Sequence, residues 1–115
     1  MFRVKNVDGF KDLKYYGGNV LPNTVIYVLT GKVLSSPTRT SIQISNSKHI
    51  EDKLGKYINH SCDPSVRVED NKLISVKEIN DSDSITFNYN DTEDLMSNPF
   101  KCHCCDKIIG GKLMK

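Results

Sequence analysis

The sequence predicts a mainly β domain assembled from several short strands. Three observations carry that expectation. Thr24-Val25-Ile26-Tyr27-Val28-Leu29 is rich in β-branched and aromatic residues and follows the turn-forming Leu21-Pro22-Asn23. Val66-Arg67-Val68 and Leu73-Ile74-Ser75-Val76 flank the polar Glu69-Asp70-Asn71-Lys72, the pattern of a hairpin. Ser41-Ile42-Gln43-Ile44 and Ile85-Thr86-Phe87-Asn88-Tyr89 alternate apolar and polar residues with the period of a half-buried strand.

The remaining elements follow in order. Gly31-Lys32-Val33-Leu34 reads as a continuation of the first strand. The polar Asn80-Asp81-Ser82-Asp83-Ser84 is a turn leading into the last strand. Only residues 92–97 read as helical, with Thr92 as a cap and Pro99 ending the segment. Short strands with regular turns make one compact mainly β unit. At 115 residues a second core would leave neither half enough buried surface.

Composition narrows the class. With 37% hydrophobic residues and a mean hydropathy of −0.43, a globular chain is expected. The longest apolar run, around Val25 to Leu29, is far too short to span a bilayer, so no membrane association is expected. The first nine residues carry Arg3, Lys5 and Asp8 and no apolar core, so no secretory signal is expected. An intracellular setting, cytoplasmic or nuclear, follows. The four cysteines are then reduced thiols or metal ligands before they are disulfides.

The net charge of +2 is too small to argue for nucleic acid, and no alternation of aromatic and basic residues supports it. Its distribution is uneven. Between Asp63 and Asp94 nine acids face three bases, a local charge of −6. Such a middle suits a cationic ligand, and equally suits a set of solvated turns.

The most informative stretch is Lys56-Tyr57-Ile58-Asn59-His60-Ser61-Cys62-Asp63-Pro64-Ser65. Four polar side chains cluster after an apolar pair, which is costly to bury unless each finds a partner. By itself the cluster also fits an Asx-type turn closed by Asp63-Pro64. The stretch resembles the signature of SET-domain methyltransferases, a basic residue and an apolar pair leading into Asn-His-Ser-Cys-x-Pro. Residues 79–89, ending Ile85-Thr86-Phe87-Asn88-Tyr89, resemble that family's turn, strand and catalytic tyrosine. Phe100-Lys101-Cys102-His103-Cys104 is similar to the Phe-x-Cys-x-Cys that opens the post-SET segment. Residues 21–34 are similar to the strand pair that opens the domain, and 37–44 with His49-Ile50 to the reduced insert of small bacterial SET proteins.

The resemblance implies a SET fold over residues 1–99, of β-clip type, and a post-SET-like tail over 100–115. In that fold the C-terminal segment threads past the Asn-His-Ser-Cys strand in a pseudoknot-like arrangement, which is rare. The implied activity is transfer of a methyl group from S-adenosylmethionine to a lysine side chain of a protein or peptide, basic to suit the acidic middle. Tyr89 is the implied catalytic tyrosine; Tyr57, Asn59, His60 and Phe100 are the implied contacts of the methyl donor. Phe87, in the family's position that tunes the number of methyls, is the implied lining of the lysine channel. Two positions before Tyr89, it is expected on the same strand face. Without the resemblance, Tyr89 is an ordinary strand tyrosine and Phe100 a core anchor.

The chain departs from the family in three places. The Gly-x-Gly whose backbone wraps the methyl donor is missing; its glycines would fall at about Lys11 and Leu13, with Gly9 or Gly17-Gly18 available in a shifted register. Leu29 replaces an aromatic that often lines the lysine channel. The post-SET zinc pattern gives Cys62, Cys102 and Cys104, but Ile109 stands at the last position, leaving Cys105 or His103 as fourth ligand. Zinc is one reading of these thiols and reduced cysteines the other. A SET-like module that binds a protein or peptide without catalysis is the alternative function, and a homodimer would supply wall that so small a domain lacks.

Overall fold

The computed structural model of the protein describes residues 2–7, 10–38, 40–45, 48–93, 100–101 and 108–109. Within them the architecture is mainly β, as expected, and is divided among several small sheets. Strands β1 (Phe2–Val7) and β2 (Phe10–Tyr15) form an antiparallel ribbon running from Phe2↔Tyr15 to Val7↔Phe10. Phe2, Val4 and Leu13 turn toward the core while Arg3 and Lys5 face water, the period-two division of a half-buried ribbon. No strand was expected here.

Strands β3 (Val25–Val28), β8 (Val66–Glu69) and β9 (Lys72–Ser75) form an antiparallel sheet in the order β3-β9-β8. The expected hairpin is present. Its register, Val66↔Ser75 to Glu69↔Lys72, leaves Asp70-Asn71 as the turn. Asp70 has φ 53°, a left-handed conformation that Asp tolerates better than most residues.

Strand β4 (Lys32–Leu34) does not extend β3. It pairs with β6 (Lys48–Glu51), which also pairs with β5 (Ile42–Ser45), in a second three-stranded antiparallel sheet. The chain changes sheets at Gly31, pressed so close to β6 that a Cβ there would collide with the Glu51 carbonyl oxygen. β5 also departs from simple alternation, because Ile42 and Gln43 are both buried. The Gln43 backbone N–H donates to the Glu93 carboxylate at 2.7 Å, so the edge of the strand away from β6 is capped by a side chain from the end of the last helical turn.

The last strand is shorter than its sequence pattern. β10 covers Thr86–Phe87 and pairs in parallel with β7 (Asn59–His60). One helical turn, α1 (Tyr89–Thr92), follows at once. The helical signal therefore begins earlier than residues 92–97. Asn88 is its cap, accepting from the Asn90 amide at 3.0 Å, and Thr92 lies at its end; residues 94–99 are outside the described set. β11 (Phe100–Lys101) and β12 (Ile108–Ile109) pair antiparallel. Leu13, Leu29, Ile42, Ile50, Ile58, Val66, Leu73, Ile79, Ile85 and Phe87 form one core that joins the sheets. Burying each such side chain contributes about 1.5–3 kcal/mol.

Candidate functional site

The approach to the site is fixed by Asp52. This buried carboxylate accepts from the Tyr27 hydroxyl (2.8 Å) and from the backbone amides of Thr30 (2.9 Å), Leu54 (2.9 Å) and Gly55 (2.8 Å). It therefore holds the 3-10 turn Gly55–Tyr57 that delivers Ile58, Asn59 and His60. Gly55 is needed because a Cβ there would come within 2.8 Å of Leu29 Cδ2. Burial pushes the Asp52 carboxyl pKa up, but the hydrogen bonds it accepts outweigh that and hold it below its ordinary value. The Tyr27 hydroxyl, partly desolvated and bonded to Asp52, is pushed up to about 12.

The other half of the site is held by Ser65. Its hydroxyl accepts from Thr86 N (3.0 Å) and donates to Ser84 O (3.1 Å), fastening β10 beside the start of β8. β7 and β10 then meet in register, Thr86 with Asn59 and Phe87 with His60. The Ser61 amide continues the contact by donating to Phe87 O at 3.1 Å.

Tyr89 closes on this pair. Its hydroxyl donates to Ile58 O at 2.6 Å and its amide donates to His60 Nδ1 at 3.1 Å. Because a backbone amide can only donate, His60 Nδ1 must accept, and the proton of the neutral imidazole sits on Nε2. Nε2 faces the Cys62 sulfur at 3.4 Å. The ring centre of Tyr89 lies 5.2 Å from His60, 4.9 Å from Phe87 and 6.0 Å from Phe100; His60 and Phe100 are 5.8 Å apart. Four side chains singled out by the sequence thus form one aromatic cluster. Phe87 and Tyr89 do not share a strand face, because the chain turns into α1 at Tyr89, yet their rings touch.

Burial, and then the negative charge of Glu93, raise the Tyr89 hydroxyl pKa well above its ordinary value. The hydroxyl therefore stays protonated and acts as a donor. Glu93 is buried and accepts from Gln43 N and from Thr92 Oγ1 (2.9 Å).

Asn59 and Tyr57 sit beside the ribbon. Asn59 Nδ2 donates to Lys11 O (2.9 Å) and to Asp12 Oδ1 (3.3 Å), which fixes the amide and leaves its oxygen as an acceptor without a hydrogen bond among the described residues. The Tyr57 ring carries the Lys11 ammonium at 5.3 Å and the Lys56 ammonium at 5.2 Å from its centre. Lys11 and Leu13, where the family's two glycines would fall, belong to β2, and Leu13 is buried in the core. Gly17 and Gly18 have φ 146° and 95°, and Gly17 N donates to Asp81 Oδ1 at 3.0 Å; Gly9 lies outside the described residues.

Of the thiol set, Cys62 is exposed at the end of the motif, while Cys102, His103, Cys104 and Cys105 lie outside the described residues. Among the described residues no cluster of three or more His, Cys, Asp or Glu is placed to hold a metal ion. Sequence reasoning missed Lys11, Asp12, Asp52 and Glu93. Each has at least one partner far along the chain, Asp52 with Tyr27 and Glu93 with Gln43 among them, and no local pattern signals that.

An amide oxygen left as an acceptor, a protonated phenol, and aromatic faces around a fixed imidazole suit a ligand with both apolar rings and polar ends. No protein-family profile matches the chain, and no curated protein matches it. Among the described residues no helix is long and apolar enough to cross a membrane.

Proposed function

We propose that the chain is a protein-lysine methyltransferase of the SET type, moving a methyl group from S-adenosylmethionine to a lysine amine. One observation carries the reading. The Asn59-His60 strand and the Phe87–Tyr89 segment, far apart in sequence, meet through parallel pairing, and Tyr89 bonds back to Ile58 and His60. On this reading the parallel contact is the crossing point of a threaded C-terminal segment. The chemistry of the residues fits the donor. Asn59 offers an acceptor to an amino-acid end, and Phe100, 38% exposed beside His60, offers an aromatic face to a purine.

When bound, the donor supplies an electrophilic methyl group and a positive charge that disfavours a neighbouring ammonium. The chain's residues do the rest. Phe87 and Tyr89 give the lysine an apolar wall, and desolvation lowers an amine pKa that is otherwise about 10.4. Tyr89 stays protonated, so it orients and is no base; water carries the proton away. Its hydroxyl oxygen, donating to Ile58 O, keeps lone pairs for weak C–H···O contacts that align the reacting groups. Most of the acceleration then comes from positioning and fixed dipoles. The acidic residues between Asp63 and Asp94 favour a basic protein or peptide as substrate.

The test is transfer of a labelled methyl group from S-adenosylmethionine to the proteins of a cell extract, with Tyr89→Phe as control. Labelled protein is expected with the natural chain and is lost with the variant. A second reading, a binding module without catalysis, is favoured by the burial of Leu13 where the family has a glycine. Calorimetric titration with S-adenosylmethionine separates the two, since heat of binding is expected only for the enzyme.

A further inference from the structure

We infer that Lys11, which shares the Tyr57 ring with Lys56, binds the carboxylate of the methyl donor and takes over the task of the missing glycine loop. The inference rests on the methyl-donor reading above.

The geometry has three parts. The Lys11 backbone touches the site directly, since its carbonyl oxygen accepts from Asn59 Nδ2 at 2.9 Å. Its side chain then runs to Tyr57, two residues before Asn59, where its ammonium lies 5.3 Å from the ring centre. Lys56 brings a second ammonium to 5.2 Å from the same ring. Among the described residues neither lysine is in an ion pair; the three pairs found join Lys14 to Asp12, Arg67 to Glu69 and Lys77 to Asp63.

Each ammonium contact with the half-buried Tyr57 ring returns only about 0.5–1 kcal/mol, so the ring holds neither lysine firmly. An anion arriving beside the ring attracts an ammonium more strongly than the ring does. Asn59 supplies the complement. Asp12, itself held by the Ser84 hydroxyl at 2.5 Å, and Lys11 O together fix Asn59 Nδ2, which leaves the amide oxygen as an acceptor. A cation next to a fixed acceptor matches an α-amino acid end: carboxylate on lysine, ammonium on the Asn59 oxygen. A side chain here reaches what a glycine backbone would reach by close approach, while Leu13 is free to fill the core.

The test is calorimetric titration of the full chain with two ligands, S-adenosylmethionine and methylthioadenosine, which lacks the amino-acid end. Lys11→Met keeps the aliphatic stem on Tyr57 and removes the charge. It is expected to weaken S-adenosylmethionine about tenfold, or 1.4 kcal/mol, and to leave methylthioadenosine unchanged. Lys11→Arg is expected to restore most of the loss, and Lys56→Met to give a smaller loss with the same selectivity. An unchanged S-adenosylmethionine affinity in Lys11→Met, or equal losses on both ligands, overturns the Lys11 assignment and leaves the methyl-donor reading standing. A natural chain that binds neither ligand overturns the methyl-donor reading, and this assignment with it.

Discussion

The Tyr89 hydroxyl donates to the backbone oxygen of Ile58 across 2.6 Å, joining two residues 31 positions apart. Tyr89→Phe removes the donor and keeps the ring. The Ile58 carbonyl loses that bond, at a cost of about 1 kcal/mol, visible as a drop of several degrees in Tm. Methyl transfer is expected to fall about 100-fold or more, the size of a lost orienting group in an active site. Equal methyl incorporation by variant and natural chain would reduce Tyr89 to a structural anchor.

Phe87 is 3% exposed, and its ring centre lies 4.9 Å from that of Tyr89. On the methyltransferase reading, a phenylalanine here leaves out a hydroxyl that would hold a water, which makes room for a bulkier amine. The natural chain is expected to add two or three methyls, and Phe87→Tyr to shift products toward monomethyl-lysine. Mass spectrometry of a methylated peptide reads this, and a natural product that stops at one methyl removes the idea.

Asp52 sets an acid limit on stability. Its folded pKa lies below the ordinary value, so its contribution is present above about pH 4 and is lost as the pH falls through the folded pKa. Tyr27 acts on the opposite side. Pushed up to about 12, it contributes below about pH 10 and loses that contribution as the pH rises toward 12. Asp52→Asn removes a charged acceptor from four donors and is expected to cost about 2–3 kcal/mol at pH 7. Urea unfolding from pH 3 to pH 7 should show a flatter acid limb for the variant; an unaltered limb would mean that other carboxylates set it.

Two glycines should respond differently to alanine. Gly31→Ala drives a Cβ into the Glu51 carbonyl oxygen, so backbone must shift to admit it. A loss above about 3 kcal/mol, or failure to fold, is expected by analogy with severe overpacking. Gly18→Ala meets nothing within 4 Å and carries only the strain of φ 95°, expected to cost about 1–2 kcal/mol. Thermal unfolding of both variants decides the ranking.

What the sequence disclosed follows the range of the interactions. The hairpin of β8 and β9 was readable because strands, turn and register lie within ten residues, Val66 to Ser75. The first strand was readable from its β-branched residues. The ribbon of β1 and β2 was missed, although Phe2 and Val4 alternate with charged residues and Asp8-Gly9 separates the two strands, itself a hairpin signal. Alternation misplaced Tyr89 on a strand, because the capping bond from Asn90 N to Asn88 overrides the apolar period. The aromatic cluster was legible only through the resemblance. Nothing local joins His60 to Tyr89, and Asp12 reaches Ser84 across 72 positions.

The parallel contact between β7 and β10 is two residues long. So brief a pairing cannot persist alone; it exists because Ser65, the 3-10 turn and the core have already set its two sides. The site should therefore be the last part of the molecule to assemble and the first to come apart. Denaturant too dilute to melt the local hairpins should already silence it, so ligand binding would gauge the integrity of the whole chain more sensitively than its strand content does.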